Sequence, residues 1–258
     1  MKRISIFSIA GILLALTCCT PKDGWKLVWT EDFNGPDIDE TVWSRVEHGR
    51  SDWNDMMSLR PDLAFIEDGQ LVLLGKNNDG SSDDTTAFVT GGLNSKGKKS
   101  FLLGKFEVKA KFNCVDGFWP ALWLMPDNDM KWPQGGEVDI MEHLNHDRIV
   151  YQTLHSTYTK TVDDKNPPHG STASIDPSDW NIYTAEIYKD SICFYTNDIK
   201  TLTYPRLEGK ETQFPWVNHP FYMILSNQLG GAWVGPVSPE QLPSELRIDW
   251  IKVYQRKK

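Results

Sequence analysis

The stretch Gly135-Gly136-Glu137-Val138-Asp139-Ile140-Met141-Glu142-His143 places three carboxylates within six residues, with apolar Val138, Ile140 and Met141 between them. Successive side chains on a β-strand point to opposite faces, so Glu137 and Asp139 share one face and Val138 and Ile140 the other. Glu142, five positions after Glu137, falls on the wrong face of an unbroken strand. One extra residue, a β-bulge around Ile140-Met141, returns it to the side of the other two acids. Carboxylates gathered on one face repel one another unless some hold protons, which is the condition for general acid and base chemistry. A solvated edge strand is the plain alternative, and the flanks argue against it. Gly117-Phe118-Trp119-Pro120-Ala121-Leu122-Trp123-Leu124-Met125-Pro126 lies upstream, and Trp132-Pro133 runs into the acids. Pyranose rings stack on indole faces, so aromatics beside paired acids imply a cleft for sugars.

The elements that must hold these acids are strands. Trp25–Trp29 alternates in polarity, and Phe65–Leu74 reads as strand, Asp68-Gly69 turn, strand. Lys105–Phe112 alternates strictly, and further strands fit Ile149–Thr157, Trp180–Lys189, Ser191–Thr196, Pro220–Gln228 and Glu245–Gln255. No helical period is sustained; a turn or two fits Pro239–Leu242. Glu47–Pro61 and Thr159–Asp179 read as long loops. Many short strands at regular spacing predict an all-β, two-sheet antiparallel sandwich. Trp29, Trp43, Trp180 and Trp250 are expected in its core.

The chain of 258 residues opens with Lys2, Arg3, an apolar run from Ile4 to Leu16, and Thr17-Cys18-Cys19. This pattern is an export signal, too short for a spanning helix, which needs about 20 residues. Leu16-Thr17-Cys18-Cys19 resembles a bacterial lipobox, with Cys19, or Cys18, as the lipidated residue. The expectation is a lipoprotein-type signal over residues 1–18 and one catalytic domain over 19–258, at the bacterial outer membrane or cell surface. A plain secretory signal, giving a periplasmic or secreted protein, is the alternative. Membrane contact would come only through that anchor. The formal charge of −8 argues against nucleic acid as a partner and, less strongly, against a densely sulfated polysaccharide. Cys114 and Cys193 are the two cysteines beyond the signal; export permits a disulfide, and two buried thiols fit equally. A metal held by Glu142, His143 and His146 is disfavoured, since neighbours on a strand point oppositely and no HExxH pattern is present.

The acid motif with Gly117–Pro126 closely resembles glycoside hydrolase family 16, β-glucanases of jelly-roll fold that include laminarinases and lichenases. Trp29–Gly35, Asp68–Leu71, Phe106–Lys111, Gln152–His155, Phe221–Trp233 and Ile248–Tyr254 extend the resemblance over nearly the whole mature chain. The extra residue in the motif is the mark of the laminarinase-like branch. The resemblance implies a concanavalin A-like sandwich with an open cleft on its concave face, acting as a monomer without a cofactor for catalysis.

It also implies roles. Glu137 becomes the nucleophile, Asp139 its electrostatic assistant and Glu142 the general acid/base of a retaining endo-glycosidase, whose working carboxyls lie about 5–5.5 Å apart. Trp119 and Trp132 are the expected sugar platforms, with Trp123 and Trp233 as further candidates. His155 matches a cleft histidine that tunes Glu142, and Asn227 or Gln228, Asn34, Trp53 and Asn54 are expected to touch sugars. Glu31, Gly69 and Asp249 match the ligands of a structural calcium. The expected substrate is a mixed-linkage β-1,3-1,4-glucan or β-1,3-glucan. A galactan of the agar or carrageenan kind, with Arg50 and Arg60 as the early-loop cations, is the alternative enzyme reading. A non-catalytic carbohydrate-binding sandwich is the alternative outside catalysis.

Overall fold

In a computed structural model, which describes residues 24–257, the strands pack as two antiparallel sheets facing one another. The nine-stranded sheet runs, in spatial order, through Ile199–Pro205, Ser191–Thr196, Asn181–Ile187, Gly104–Phe112, Ser244–Arg256, Gln70–Asn77 and Ala64–Glu67. Trp25–Glu31 and Phe88–Thr90 add to it. The eight-stranded sheet runs through Gly170–Ser174, Ile149–His155, Glu137–Glu142, Phe118–Pro126, Phe221–Leu229, Gly92–Asn94 and Ser44–Arg45, and Ser100–Phe101 pairs onto Phe221–Leu229. The sandwich expected from the alternation is therefore present. The signal segment and both candidate lipidated cysteines lie outside the described residues.

Strand parity divides the eight-stranded sheet into a core face and an open face. Phe118, Leu122 and Leu124 enter the core with Phe221, Met223, Leu225, Val138, Ile140 and Met141. Ala121, Trp123, Tyr222 and Ile224 form a separate apolar cluster on the other side. That second cluster is a floor rather than a core, because no third layer covers it.

The expected bulge lies in the acid strand. Asp139 pairs with Trp123, but the next pair is Met141 with Leu122, so Ile140 is the extra residue. The opposite neighbour shows the same slip between Asp139 paired to Thr153 and Glu142 paired to Tyr151. A bulge leaves a backbone group without a ladder partner. Here the fully buried Gln152 donates from Nε2 to the Ile140 carbonyl at 2.9 Å, and its Oε1 accepts from Thr201 Oγ1 at 2.5 Å. Thr201 belongs to the other sheet, so one amide ties the bulge across the sandwich. The entry to the strand is pinned as well. Gly136 has φ of 82°, and a Cβ there would stand 2.7 Å from the Trp216 indole nitrogen. That nitrogen donates to the Glu137 carbonyl at 3.3 Å.

Two expectations change. Thr159–Asp179 is not one loop: it contains a short helix, Thr157–Thr161, closed by a Ser156/Thr159 capping box, and the edge strand Gly170–Ser174. Trp180 and Trp250 are half-buried on the outer sheet face, beneath Lys111 and Lys252 respectively, rather than in the core. Cys114 and Cys193 are both free thiols.

Replacing Gln152 by Leu keeps the side-chain bulk and leaves the buried Ile140 carbonyl without its donor. The expected loss is about 1–3 kcal/mol of unfolding free energy, seen as a lower denaturant midpoint with an unchanged slope. A midpoint equal to that of the parent would show that the bulge needs no such tie.

Candidate active site

Parity and the bulge deliver Glu137, Asp139 and Glu142 to one cavity of about 400 Å³ on the open face. Trp53, Trp119, Trp123 and Trp132 line it, with Ser51, Ala121, Met125, Tyr222, Ile224, Ser226 and Gln228. Each outer acid is held by an indole: Trp132 Nε1 donates to Glu137 Oε2 at 2.5 Å, and Trp119 Nε1 donates to Glu142 Oε1 at 3.0 Å. His155, directly opposite Glu137 in the ladder, sets Nε2 3.2 Å from Asp139 Oδ2 and 3.9 Å from Glu137 Oε1. Asp139 Oδ2 is buried without an aligned donor.

The three acids are all pushed toward the protonated form. For Glu137 burial is the main cause and the Asp139 charge adds to it, raising the group to about 8 against the pull of His155 and the Trp132 N–H. Asp139 is raised by burial, with the Glu137 carboxyl as hydrogen-bond partner and the Lys160 charge opposing. Glu142 is raised well above the usual carboxylate range by burial and by the Asp139 charge, with the Trp119 N–H opposing and the Glu137 charge adding. His155 is lowered, chiefly by burial, so it stands neutral near pH 7. The acids therefore titrate as a unit, not as three independent groups.

The remaining expected residues separate cleanly. Trp123 is the floor, its Nε1 donating to Ser226 Oγ at 3.2 Å, and Trp53 meets its ring edge-on at 4.9 Å. Trp233 is 48% exposed and meets Trp119 edge-on, extending the wall beyond Glu142. Gln228 faces the cleft and donates to Asp55 Oδ1 at 2.6 Å, while the Ala232 N–H donates to Asp52 Oδ2 at 2.8 Å. These bonds fasten the loop after Glu47 to the end of the strand Phe221–Leu229 and to the loop around Trp233.

Asn227, Asn54 and Asn34 do not line the cavity. Asn227 lies between cleft-facing Ser226 and Gln228, so parity turns it into the sandwich, where it donates to Ser244 Oγ. Asn54 is spent on its own turn, accepting from the Ser51 N–H. Asn34 sits against the Gly69 turn of the opposite sheet, 2.9 Å from where a Cβ of Gly69 would stand. Arg60, a candidate cleft cation, is bound instead by Asp62 and Asp79.

The calcium residues do not fit as a set. Glu31 accepts from the Phe33 N–H and from Trp43 Nε1, and Asp249 is paired with Lys109 Nζ at 2.8 Å. Lysine already supplies the positive charge at Asp249.

Residues 59–252 match the model of Glycosyl hydrolases family 16. The chain belongs to that family. It is 37% identical over 240 residues to a keratan-sulfate endo-1,4-beta-galactosidase of Sphingobacterium multivorum, covering 90% of this chain and 55% of that protein. The chain thus spans about half the length of that relative. The family 16 fold also superposes on the laminarinase catalytic domain of Thermotoga maritima with a TM-score of 0.79 and 28% identity, covering 92% of this chain and 100% of that one. A structure described with the endo-acting O-glycanases that human gut microbiota express to initiate mucin breakdown gives a TM-score of 0.78 and 26% identity. The match covers 90% of this chain and all of that one. The three acids of this chain lie in the cleft of a family 16 sandwich.

Raised acids have a stability cost with a definite sign. Between the unfolded carboxyl value, about 4.3 for Glu, and the higher folded one, the native protein binds more protons than the unfolded chain. Stability therefore falls as pH rises through that window. Glu142→Gln keeps an acceptor for Trp119 and removes the titration. Its melting temperature is expected to exceed the parent's by on the order of 5 °C at pH 8, with the gap closing below about pH 4. A gap that stays constant with pH would contradict the buried-acid assignment.

Proposed function

We propose that the protein is a retaining endo-glycosidase that cleaves internal β-1,4-galactosidic linkages of a keratan-type chain. The chemistry rests on one observation: Glu137 and Glu142 meet in an indole-lined cleft, each hydrogen-bonded by a different tryptophan. The substrate class rests on the 37% identity across 90% of the chain to the keratan-sulfate enzyme. The β-glucan reading that leads from sequence remains the second, favoured by the likeness to laminarinase.

In the first step Glu142 gives its proton to the glycosidic oxygen as the Glu137 carboxylate attacks the anomeric carbon. The bond to the leaving sugar breaks and a glycosyl ester forms on Glu137. In the second step Glu142 takes a proton from water, which attacks the same carbon and frees Glu137. The electrostatics carry the switch. A charged Glu137 raises Glu142, and esterification removes that charge, so the same carboxyl becomes a better base once the intermediate exists. Asp139 shares a proton with Glu137 and keeps Glu142 protonated in the resting site.

Glu137→Ala and Glu142→Ala are each expected to lower kcat by at least ~10³-fold while oligosaccharides still bind. NMR of the first product is expected to show the β-anomer. Turnover by either variant, or an inverted product, would remove the assignment. A panel of keratan-type chains, laminarin, barley β-glucan and lichenan, with products sized, decides the substrate: cleavage of glucans alone would overturn the galactoside reading. Export as a lipoprotein is part of the same proposal, checked by palmitate labelling that Cys19→Ala or Cys18→Ala abolishes.

A further inference from the structure

The rim of the cleft beside Glu137 carries a cation, Lys160, whose charge reaches Asp139 and Glu142 without an ion pair to either. Lys160 Nζ stands 5.3 Å from the ring centroid of Trp132, and Trp132 is 52% exposed. The same indole donates to Glu137, so the ammonium overhangs a platform that abuts the reacting centre. Among the described residues no carboxylate lies within 4.0 Å of this amine, whereas Lys76, Lys105 and Lys109 each hold an acid. The side chain is exposed, on a backbone that is itself held in place. Lys160 lies in the helix Thr157–Thr161, fixed at its start by the reciprocal Ser156 and Thr159 bonds.

The neighbouring histidines add little positive charge on that side. His155 and His169 face one another with ring centroids 6.4 Å apart, and both are lowered chiefly by burial. No Lys or Arg lines the cavity itself. An exposed ammonium over an aromatic ring, at the rim of a low-dielectric cleft, attracts an anion more than one in open water. One amine accommodates one anionic group, and a chain of net charge −8 repels a densely charged polymer.

We propose that Lys160 recognises a single anionic substituent, a sulfate ester or a carboxylate, on the sugar seated against Trp132. The substrate is thus sparsely charged, read one residue at a time. The inference rests on the galactoside reading for the backbone only.

The test compares matched oligosaccharides of one keratan-type backbone: neutral, sulfated, and carrying a terminal carboxylate sugar. The purified protein is expected to favour one anionic member over the neutral one by kcat/KM, and the preference to fade with added salt. Lys160→Met is expected to reduce that anionic-to-neutral ratio about tenfold, within the range of a charge-assisted hydrogen bond, and Lys160→Arg to retain most of it. Which anionic member responds identifies the group. A parent enzyme without preference, or a ratio unchanged in Lys160→Met, overturns the proposal. If no member of the series is hydrolysed, the galactoside reading fails instead. The ratio is then read as binding by calorimetry on Glu142→Gln, where an unchanged ratio still overturns the role of Lys160.

Discussion

The site depends on one backbone carbonyl. An extra residue in the acid strand is what turns Glu142 toward Glu137, and it leaves the Ile140 carbonyl outside the ladder. A buried carbonyl without a donor is costly, and Gln152 supplies that donor. Gln152 is itself held by Thr201 from the opposite sheet. The chemistry on the open face is thus secured from the closed face.

From this tie the electrostatics follow. The bulge brings three carboxyls together, and burial against an apolar floor of Trp123, Tyr222 and Ile224 raises them. A flatter strand would place Glu142 in the core, where Val138, Ile140 and Met141 now pack. The same backbone irregularity therefore sets both which groups meet and how firmly they hold their protons. Indole N–H groups from two separate segments divide the outer acids between them, so neither carboxyl can turn to the other's partner.

Much of this was legible in the residues, because a period of two is a strict rule. The bulge, the two faces of Phe118–Pro126 and the strand Ser191–Thr196 all follow from parity and flanking turns. Between Asn227 and Gln228 the same parity decides: Ser226 and Gln228 occupy the cleft face, so Asn227 turns inward. Gly170–Ser174 escaped because an edge strand of small, half-exposed residues carries no apolar alternation. The helix at Thr157–Thr161 escaped because five residues are too few to show a period. Trp180 and Trp250 differ from the core expectation because lysine stems cover their outer faces. Lys160 was invisible for a different reason, since its place over Trp132 is a tertiary contact between segments that spacing does not connect.

Trp132 has two occupations at once. Its ring edge orients Glu137 while its face lies open to the cleft. Under the proposed function, a sugar settling on that face would also steady the hydrogen bond that aims the carboxylate. Binding remote from the scissile bond and alignment at it become one event, and part of the association energy is expressed as rate rather than as affinity. Oligosaccharides too short to cover the indole would forfeit turnover as well as occupancy, so chain length itself becomes a determinant of how fast the bond is cut.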